Sequence, residues 1–201
     1  LFGNENTKPE EYFVEQFANE RKEVEKPDDV LAEQMLSQGK TILPQVQGAV
    51  KSVFGDYEVV SVEEELLQPI RDDLDFKGYI DMVLKTPDGK YHILDWKTCS
   101  WGWNAQKKSD KLMTYQLTLY KKYFCEKHDI DPKMVETYFG LLKRTPKKNN
   151  VEIFRVTSGN KKTENALKSL NNFIYNTDKN VFFKNRLSCK YCSFYKTEHC
   201  R

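Results

Sequence analysis

"GYIDMVLKTPDGKYHILDWKT", residues 78–98, has the pattern of two short strands around a tight turn. Within Thr86–Lys90, the proline suits the second position of a type I turn and the glycine suits the left-handed position of the bulge that closes it. A three-residue loop makes Thr86 face Lys90, and counting back makes Asp81 face Asp95. The sequence therefore predicts a β-hairpin that brings two aspartates directly opposite each other.

The charged residues of this hairpin share one side, because alternate residues of a strand point to the same face. Asp81, Asp95 and Lys97 lie on that side. The other side carries the apolar residues Ile80, Met82, Leu84, Leu94 and Trp96. Opposed carboxylates destabilise a sheet, so protonation, a basic partner or a bound cation must relieve them. Two carboxylates beside a lysine suit Mg²⁺ or Mn²⁺, and a plain salt bridge on an exposed edge is the alternative.

The rest of the chain predicts one α/β domain, with a central mixed sheet flanked by helices. Helices are expected over residues 9–25, 28–38, 42–54, 110–127 and 161–176, and strands over residues 57–67, 79–85, 91–97, 135–144 and 151–157. We expect a single domain over residues 1–201. Its parts are a helical N-terminal part (1–56), a core (57–180) and a cysteine-rich tail (181–201).

Composition narrows the class of protein. The chain has 201 residues, of which 39% are apolar and 31% are charged, and its net charge is +2. That balance is typical of a globular domain and excludes a disordered chain. No apolar run is long enough to span a membrane, and no signal-peptide pattern is present. Five cysteines without such a signal favour a reducing compartment, so we expect a cytoplasmic protein.

Three motifs together resemble those of the PD-(D/E)XK nucleases, in the RecB/Cas4-like exonuclease branch. They are Gly78-x-x-Asp81, then Asp95-Trp96-Lys97, then Gln116-x-x-x-Tyr120 on a predicted helix. The resemblance covers roughly residues 57–125 and implies a restriction-endonuclease-like core. It also implies a metal-dependent DNA nuclease, most simply an exonuclease of recombination, repair or DNA processing. A chain of this size without helicase motifs fits a phage or mobile-element enzyme, which would act in the host cytoplasm.

The resemblance implies roles for particular residues. Asp81 and Asp95 would bind Mg²⁺ or Mn²⁺ together with the backbone carbonyl of Trp96. Lys97 would orient or help deprotonate the attacking water, and Gln116 and Tyr120 would line the substrate groove.

A further acidic ligand is expected on the preceding strand, among Glu63, Glu64 and Glu65. Glu64 shares the parity of Val60, Val62 and Leu66, so a regular strand would turn it inward. Glu65 takes that place if a bulge intervenes, and a solvated acidic strand end is the alternative for all three.

The chain departs from the family in its N-terminal helices. Many relatives carry a metal-binding histidine on an N-terminal helix, but residues 38–45 contain none. The three histidines are His92, His128 and His199. Gln45 or water would then complete the coordination. The departure also motivates an alternative function, a catalytically weakened nuclease fold that binds DNA or a protein.

The tail has the spacing of metal ligands. Cys189 and Cys192 form a C-x₂-C pair that is followed by His199 and Cys200. The resemblance implies a 4Fe-4S cluster, whose fourth cysteine would lie upstream of the core, where residues 1–98 contain none. His199 would complete a zinc site instead, and free thiols are the third alternative.

Aromatic and basic residues beyond the hairpin suggest contacts with nucleic acid. Trp101 and Trp103 lie in a loop with lysines, a combination that suits stacking on unpaired bases. Two tryptophans in a loop are also common packing anchors. Lys111, Lys143 and Arg144 would contact phosphates or form a solvated surface. The partners expected are therefore single-stranded DNA or duplex ends, no membrane, and a recombination or replication protein.

Overall fold

The computed structural model describes residues 8–26, 28–181 and 186–200. The chain forms two compact units, one that ends at Thr163 and another that begins at Glu164. The first unit contains the sheet and all the hairpin motifs. No helix in the described ranges is long and apolar enough to cross a lipid bilayer.

Two helices precede the sheet. Helix α1 spans Pro9–Lys22 and helix α2 spans Asp29–Phe54. Asp28 caps α2, since its Oδ1 accepts a hydrogen bond from the Leu31 N–H at 3.0 Å. The helix predicted over residues 28–38 begins at this residue. The helix continues through Pro44 and ends at Gly55, which has a φ of 69°. The two predicted segments 28–38 and 42–54 are therefore one continuous helix.

The sheet has five strands in the order β1-β2-β3-β4-β5. The strands are Glu58–Arg71 (β1), Leu74–Lys85 (β2), Tyr91–Cys99 (β3), Val135–Lys143 (β4) and Val151–Val156 (β5). Strands β3 and β4 are parallel, and the other neighbours are antiparallel. The short helix α3 (Ala105–Lys108) and the long helix α4 (Lys111–His128) connect β3 to β4. A 3₁₀ turn at Pro132–Met134 completes this crossover. The predicted mixed sheet flanked by helices is confirmed.

The β2–β3 hairpin has the predicted register. Thr86 N–H donates to the Lys90 carbonyl at 3.0 Å, and Gly89 closes the turn with a φ of 84°. Val83 pairs with Ile93 and Met82 pairs with Leu94. The regular pairing of β2 with β3 ends there, one pair before the two aspartates would meet. The strands separate at the level of Asp81 and Asp95.

Apolar side chains pack on both faces of the sheet. One cluster lies under α4 and contains Leu66, Ile80, Val83, Ile93, Leu117, Phe124 and Phe139. The other lies under α2 and contains Ile42, Val46, Val50, Met82, Leu84 and Leu94. The predicted apolar side of the hairpin is therefore divided, because Ile80 packs towards α4 whereas Met82 and Leu84 pack towards α2. Burial on both faces makes the sheet a rigid support for the residues at the point of separation.

The second unit contains most of helix α5, which begins at Asn160 and ends at Asp178. After residues 182–185, a 3₁₀ helix runs over Arg186–Tyr191 and turns follow it. The prediction of a single domain over residues 1–201 stays a prediction.

Candidate active site

The Asp81 carboxylate lies in the gap between β2 and β3. Its Oδ2 accepts a hydrogen bond from the backbone N–H of Trp96 at 2.6 Å. At the end of the β2–β3 ladder, the Asp81 side chain thereby accepts the Trp96 hydrogen bond that a backbone carbonyl would accept in a regular antiparallel pair. This bond ties the first carboxylate of the motif to the backbone between Asp95 and Lys97.

Asp95 is the most deeply buried charged residue of the candidate site, with 1% of its surface exposed. Its Oδ2 lies 2.6 Å from the Lys97 Nζ, and the lysine side chain is 28% exposed. Burial raises the pKa of the Asp95 carboxyl to about 6, the Lys97 ammonium opposes the rise, and the nearby Asp81 adds to it. The carboxylate is costly in this position without a further positive charge.

The Asp95 side chain has the properties expected of a metal ligand. Its Oδ2 forms an ion pair with Lys97 but, within the described ranges, lacks a donor at hydrogen-bonding angles. A buried carboxylate oxygen with a free lone pair, next to a second carboxylate, fits a hard divalent cation. No group of three or more His, Cys, Asp or Glu side chains in the part of the chain that the structure describes is close enough to hold a metal ion. Asp81 and Asp95 are therefore the two carboxylates that the structure places at this point.

Trp96 lies between the two catalytic candidates of β3 and points to the opposite face. Its ring packs over Gly140 of β4, its partner in the parallel ladder. A β-carbon at Gly140 would lie 2.3 Å from two atoms of the indole ring. Only glycine leaves room for the ring there, so the position of the β3 backbone at the site depends on this contact.

The glycine and tyrosine of two separate motifs contact each other. A β-carbon at Gly78 would lie 2.7 Å from the Tyr120 ring. Gln116 Nε2 donates to the Tyr120 hydroxyl at 2.9 Å. The structure therefore brings Gln116 and Tyr120 of α4 together over β2, three residues before Asp81. Gln116 is half-buried, as a residue that lines a groove would be.

Glu64 is turned inward, as predicted, but it is occupied by other partners. Its Oε1 lies 2.9 Å from Lys127 Nζ and 2.5 Å from His128 Nε2, both at the end of α4. Ser61 donates to its Oε2 at 2.5 Å. Burial would raise the pKa of Glu64, but these hydrogen bonds outweigh it and lower the pKa. The structure thus gives Glu64 the contacts of a residue that anchors α4 to β1.

The other acidic candidates of β1 point elsewhere. Glu65 is exposed, accepts from the Tyr79 hydroxyl at 3.0 Å and lies 3.3 Å from Lys77 Nζ. Glu63 has a φ of 50°, which breaks the regular alternation of the strand. Val60 and Val62 are therefore exposed although Glu64 and Leu66 are buried. The predicted parity gave the right orientation for Glu64, but it fails for the two valines.

Replacing Glu64 by glutamine separates an anchoring role from a ligand role. Because Lys127 and His128 are about one-third exposed, we expect Glu64→Gln to lower the free energy of unfolding by only about 1 kcal/mol. Cleavage and metal affinity should stay unchanged. Denaturant titration and isothermal titration with Mn²⁺ measure the two effects, with Glu65→Gln as the exposed control. Weaker Mn²⁺ binding with unchanged stability would identify Glu64 as a ligand instead.

Gln45 is not oriented to complete a metal site. Its Nε2 donates to the Thr41 carbonyl and to Asn150 Oδ1, each at 2.9 Å, and its Oε1 accepts from the Asn150 N–H at 3.0 Å. Both ends of the amide are thus used to join α2 to the start of β5. The sequence could not show this, because Asn150 is 105 residues away.

The predicted nucleic-acid contacts divide into exposed and buried residues. Trp101 is exposed, and Lys111 and Arg144 are exposed as well. Trp103 is buried against Phe139, with 5.2 Å between the ring centroids, so it is a packing anchor. The prediction that Trp103 stacks on bases is wrong. Lys143 is mostly buried and lies 3.4 Å from Glu152. Asp110, at the start of α4, acts as a helix cap that accepts from the Met113 N–H at 3.0 Å.

The tail cysteines form no disulfide within the described ranges. Cys192 and Cys200 are exposed and Cys189 is half-buried. His199 lies 3.6 Å from Glu198, its neighbour in the chain. The tail residues described do not converge on a common point that would suit a cluster or zinc. In the first unit, Cys125 is buried, which raises the pKa of its thiol to about 11.

Comparison with known proteins identifies the family. A model of the PD-(D/E)XK nuclease superfamily matches residues 3–197 of the chain. The chain belongs to the PD-(D/E)XK nuclease superfamily, and the resemblance of its motifs to that superfamily is confirmed. The class of activity that follows is that of a nuclease.

A solved structure from Eubacterium rectale shares the fold. This crystal structure, named "Putative exonuclease", aligns with a TM-score of 0.56 and 12% sequence identity over 92% of this chain and 68% of that one. The crystal structure of SSO0001 aligns with a TM-score of 0.46 and 15% identity over 92% of both chains. The first likeness supports the arrangement of sheet and helices. No curated protein sequence matches the chain.

Proposed function

We propose that this protein is a divalent-metal-dependent deoxyribonuclease. It acts as an exonuclease on single strands or duplex ends, and it belongs to the RecB/Cas4-like branch. The supporting observation is the buried Asp95 carboxylate, which has Lys97 at 2.6 Å and Asp81 across the gap between the strands. Recombination, repair or DNA processing in the cytoplasm is the setting that this activity suits, with a recombination or replication protein as a partner.

The chemistry is the hydrolysis of a phosphodiester bond. Asp81, Asp95 and the Trp96 carbonyl would hold Mg²⁺ or Mn²⁺. When bound, the cation supplies Lewis acidity towards the phosphate and lowers the pKa of water. The water oxygen forms a bond to phosphorus while the bond to the leaving nucleotide oxygen breaks, and the leaving oxygen takes up a proton.

Lys97 is the residue best placed to act on this reaction. Its ammonium pairs with the Asp95 carboxylate, and about a quarter of the lysine side chain reaches solvent. An ammonium in that position orients the attacking water and offsets the negative charge that develops on the phosphate oxygens. Gln116 and Tyr120 would position the substrate from α4, because their mutual hydrogen bond holds both side chains over β2.

Degradation of labelled DNA tests this function. With Mg²⁺ or Mn²⁺, we expect the protein to release nucleotides from a linear single strand and to leave a circular single strand intact. Lys97→Ala should lose about a hundredfold or more in rate, by the size of other electrostatic contributions to catalysis. Lys51→Ala, an exposed lysine of α2, is the matched control. Equal activity of Lys97→Ala and wild type would contradict the mechanism.

A second candidate is a nuclease fold that binds DNA without turnover. The observation that favours it is the small set of donors, since no third acidic side chain or histidine in the described ranges joins the two carboxylates. This candidate predicts DNA binding without cleavage in either metal. The active enzyme is favoured because the chain contains the complete set of motif residues, which are Asp81, Asp95, Lys97, Gln116 and Tyr120.

We also propose a metal in the tail, on the spacing of Cys189, Cys192, His199 and Cys200 alone. A brown purified protein with visible absorbance would indicate an iron–sulfur cluster. A colourless protein with one equivalent of zinc would indicate a zinc site. Absence of both metals, with thiols that titrate freely, would identify free cysteines and contradict the proposal.

A further inference from the structure

We propose that Trp101 is a stacking platform for an unpaired nucleobase, and that it makes the protein select single strands or frayed ends. The inference rests on the proposed function and deepens it, because it names the feature that distinguishes the substrate. It depends on the exposure of Trp101, the rigidity of its loop, its distance from the candidate active site and the charges around it.

Trp101 is exposed to an unusual degree for its size. Its side chain is 78% exposed, and among the large apolar residues that the structure describes only Tyr191 is more exposed. Trp103, two residues later, is buried in the core under α4. The loop thus buries one indole ring and presents the other to solvent. A solvent-exposed ring of this kind offers both of its faces to a base.

The loop that carries Trp101 is tied to the end of β4. Arg144 N–H donates to the Cys99 carbonyl and Thr145 N–H donates to the Ser100 carbonyl, each at 2.8 Å. Arg144 Nη2 also donates to Ser100 Oγ at 3.2 Å. Gly102 has a φ of 121°, which turns the chain so that the next tryptophan enters the core. A ring on a fixed backbone loses little conformational entropy when a ligand binds.

Trp101 lies close to the candidate active site along the chain. Lys97 is four residues earlier, so the two α-carbons are at most about 14 Å apart. Stacked nucleotides rise about 3.4 Å each along one strand of DNA. A base on Trp101 would therefore lie within about four nucleotides of a phosphate at Lys97.

The charges around Trp101 suit a nucleic acid better than a protein. The exposed guanidinium of Arg144 lies on the segment that is bonded to the loop. Lys108 and Lys143 share one acidic partner, Glu152, and Lys107 lies 5.0 Å from the Trp103 ring centroid, so cations outnumber anions here. A single exposed ring among cations fits a base with its flanking phosphates. A protein partner is expected to use a wider apolar patch.

Titration of tryptophan fluorescence with oligonucleotides tests the proposal without metal, in EDTA. We expect single-stranded dT₁₂ to quench the emission of wild type and to leave that of Trp101→Phe almost unchanged. By fluorescence anisotropy, Trp101→Ala should bind the single strand about 5- to 150-fold more weakly, and Trp101→Phe should retain part of the affinity. The affinity of Trp101→Ala for a blunt duplex should fall only slightly. Phe173→Ala, which removes an exposed aromatic ring of α5, is the control.

The outcomes separate this inference from the proposed function. Loss of single-strand affinity in Trp101→Ala, in a protein that cleaves nothing with Mg²⁺ or Mn²⁺, supports the platform and contradicts the nuclease. Active cleavage with unchanged single-strand affinity in Trp101→Ala overturns the platform. An equal loss for single strand and duplex also overturns it. So does a change of oligomeric state in Trp101→Ala, because the ring would then serve a protein interface.

Discussion

Asp95→Asn is expected to abolish metal-dependent cleavage and, at the same time, to stabilise the metal-free protein. Removing the carboxylate removes a cation ligand, for which we expect a loss of about a hundredfold or more in rate. The folded state raises the pKa of Asp95 from 3.8 to about 6. Between these values the folded state binds more protons than the unfolded state, so stability falls as pH rises through that window. Asparagine removes this penalty, which amounts to about 1–3 kcal/mol above pH 6.

Thermal unfolding at pH 8 in EDTA measures the stabilisation. A domain of about this size gains about 2–4 °C for each kcal/mol. Asp81→Asn is the matched control, because Asp81 is half-buried and the asparagine oxygen keeps the acceptor for the Trp96 N–H. It should lose cleavage without a comparable gain in stability. An Asp95→Asn protein that is less stable than wild type would contradict this expectation. It would show that the ion pair with Lys97 stabilises the fold by more than burial of the carboxylate destabilises it.

Gly140→Ala is expected to destabilise the fold and to disturb the active site together. The added methyl would lie 2.3 Å from two atoms of the Trp96 ring, a separation that requires the ring or the strand to move. Overpacking of this kind costs about 1–3 kcal/mol, and a packed indole makes the upper end the expectation. Because the Trp96 N–H binds Asp81, a shift of β3 should also slow cleavage. Denaturant unfolding and the rate of cleavage are the two measurements.

Two further variants sharpen this test. Gly48→Ala places a methyl in open space on α2, where alanine is a better helix former, so it should be neutral or stabilise by up to about 1 kcal/mol. The double variant Gly140→Ala/Trp96→Phe should recover part of the stability, since the smaller ring makes room for the methyl. If Gly140→Ala has the same denaturant midpoint as wild type, the Trp96 ring moves away from the added methyl at no cost in stability, which contradicts the prediction.

Much of the fold could be predicted from local patterns. The turn chemistry of Thr86–Lys90 specified the register of the hairpin, and Asp28 marked the start of α2, because both depend on residues close in sequence. The lengths of β1 and β2 could not be predicted. The segment 68–78 is charged and contains Pro69, so it lacks the alternation of a half-buried strand. Backbone pairing extends the two strands to Arg71 and Leu74, and Phe76 of this extension stacks on Tyr123 of α4.

The orientation of side chains in β1 was predicted only in part. Parity placed Val60, Val62, Glu64 and Leu66 on one face, but the positive φ of Glu63 separates the first pair from the second. The pairing of β1 with β2 also shifts register between Val59 and Ser61, next to the first of these valines. The sequence also could not distinguish Trp101 from Trp103. Both are tryptophans of one loop, but the structure exposes the first and buries the second.

The residue types and their spacing were sufficient to indicate chemistry. Asp81, Asp95 and Lys97 met on one hairpin because a tight turn and a period of two are local properties. The partners of other candidate residues lie in distant segments of the chain and were decided by packing. Tyr120 contacts Gly78, and Asn150 forms hydrogen bonds with both ends of the Gln45 amide. Lys127 and His128 of α4 bind Glu64 of β1. Long-range contacts of this kind depend on how helices lie on the sheet, and the order of residues does not reveal that.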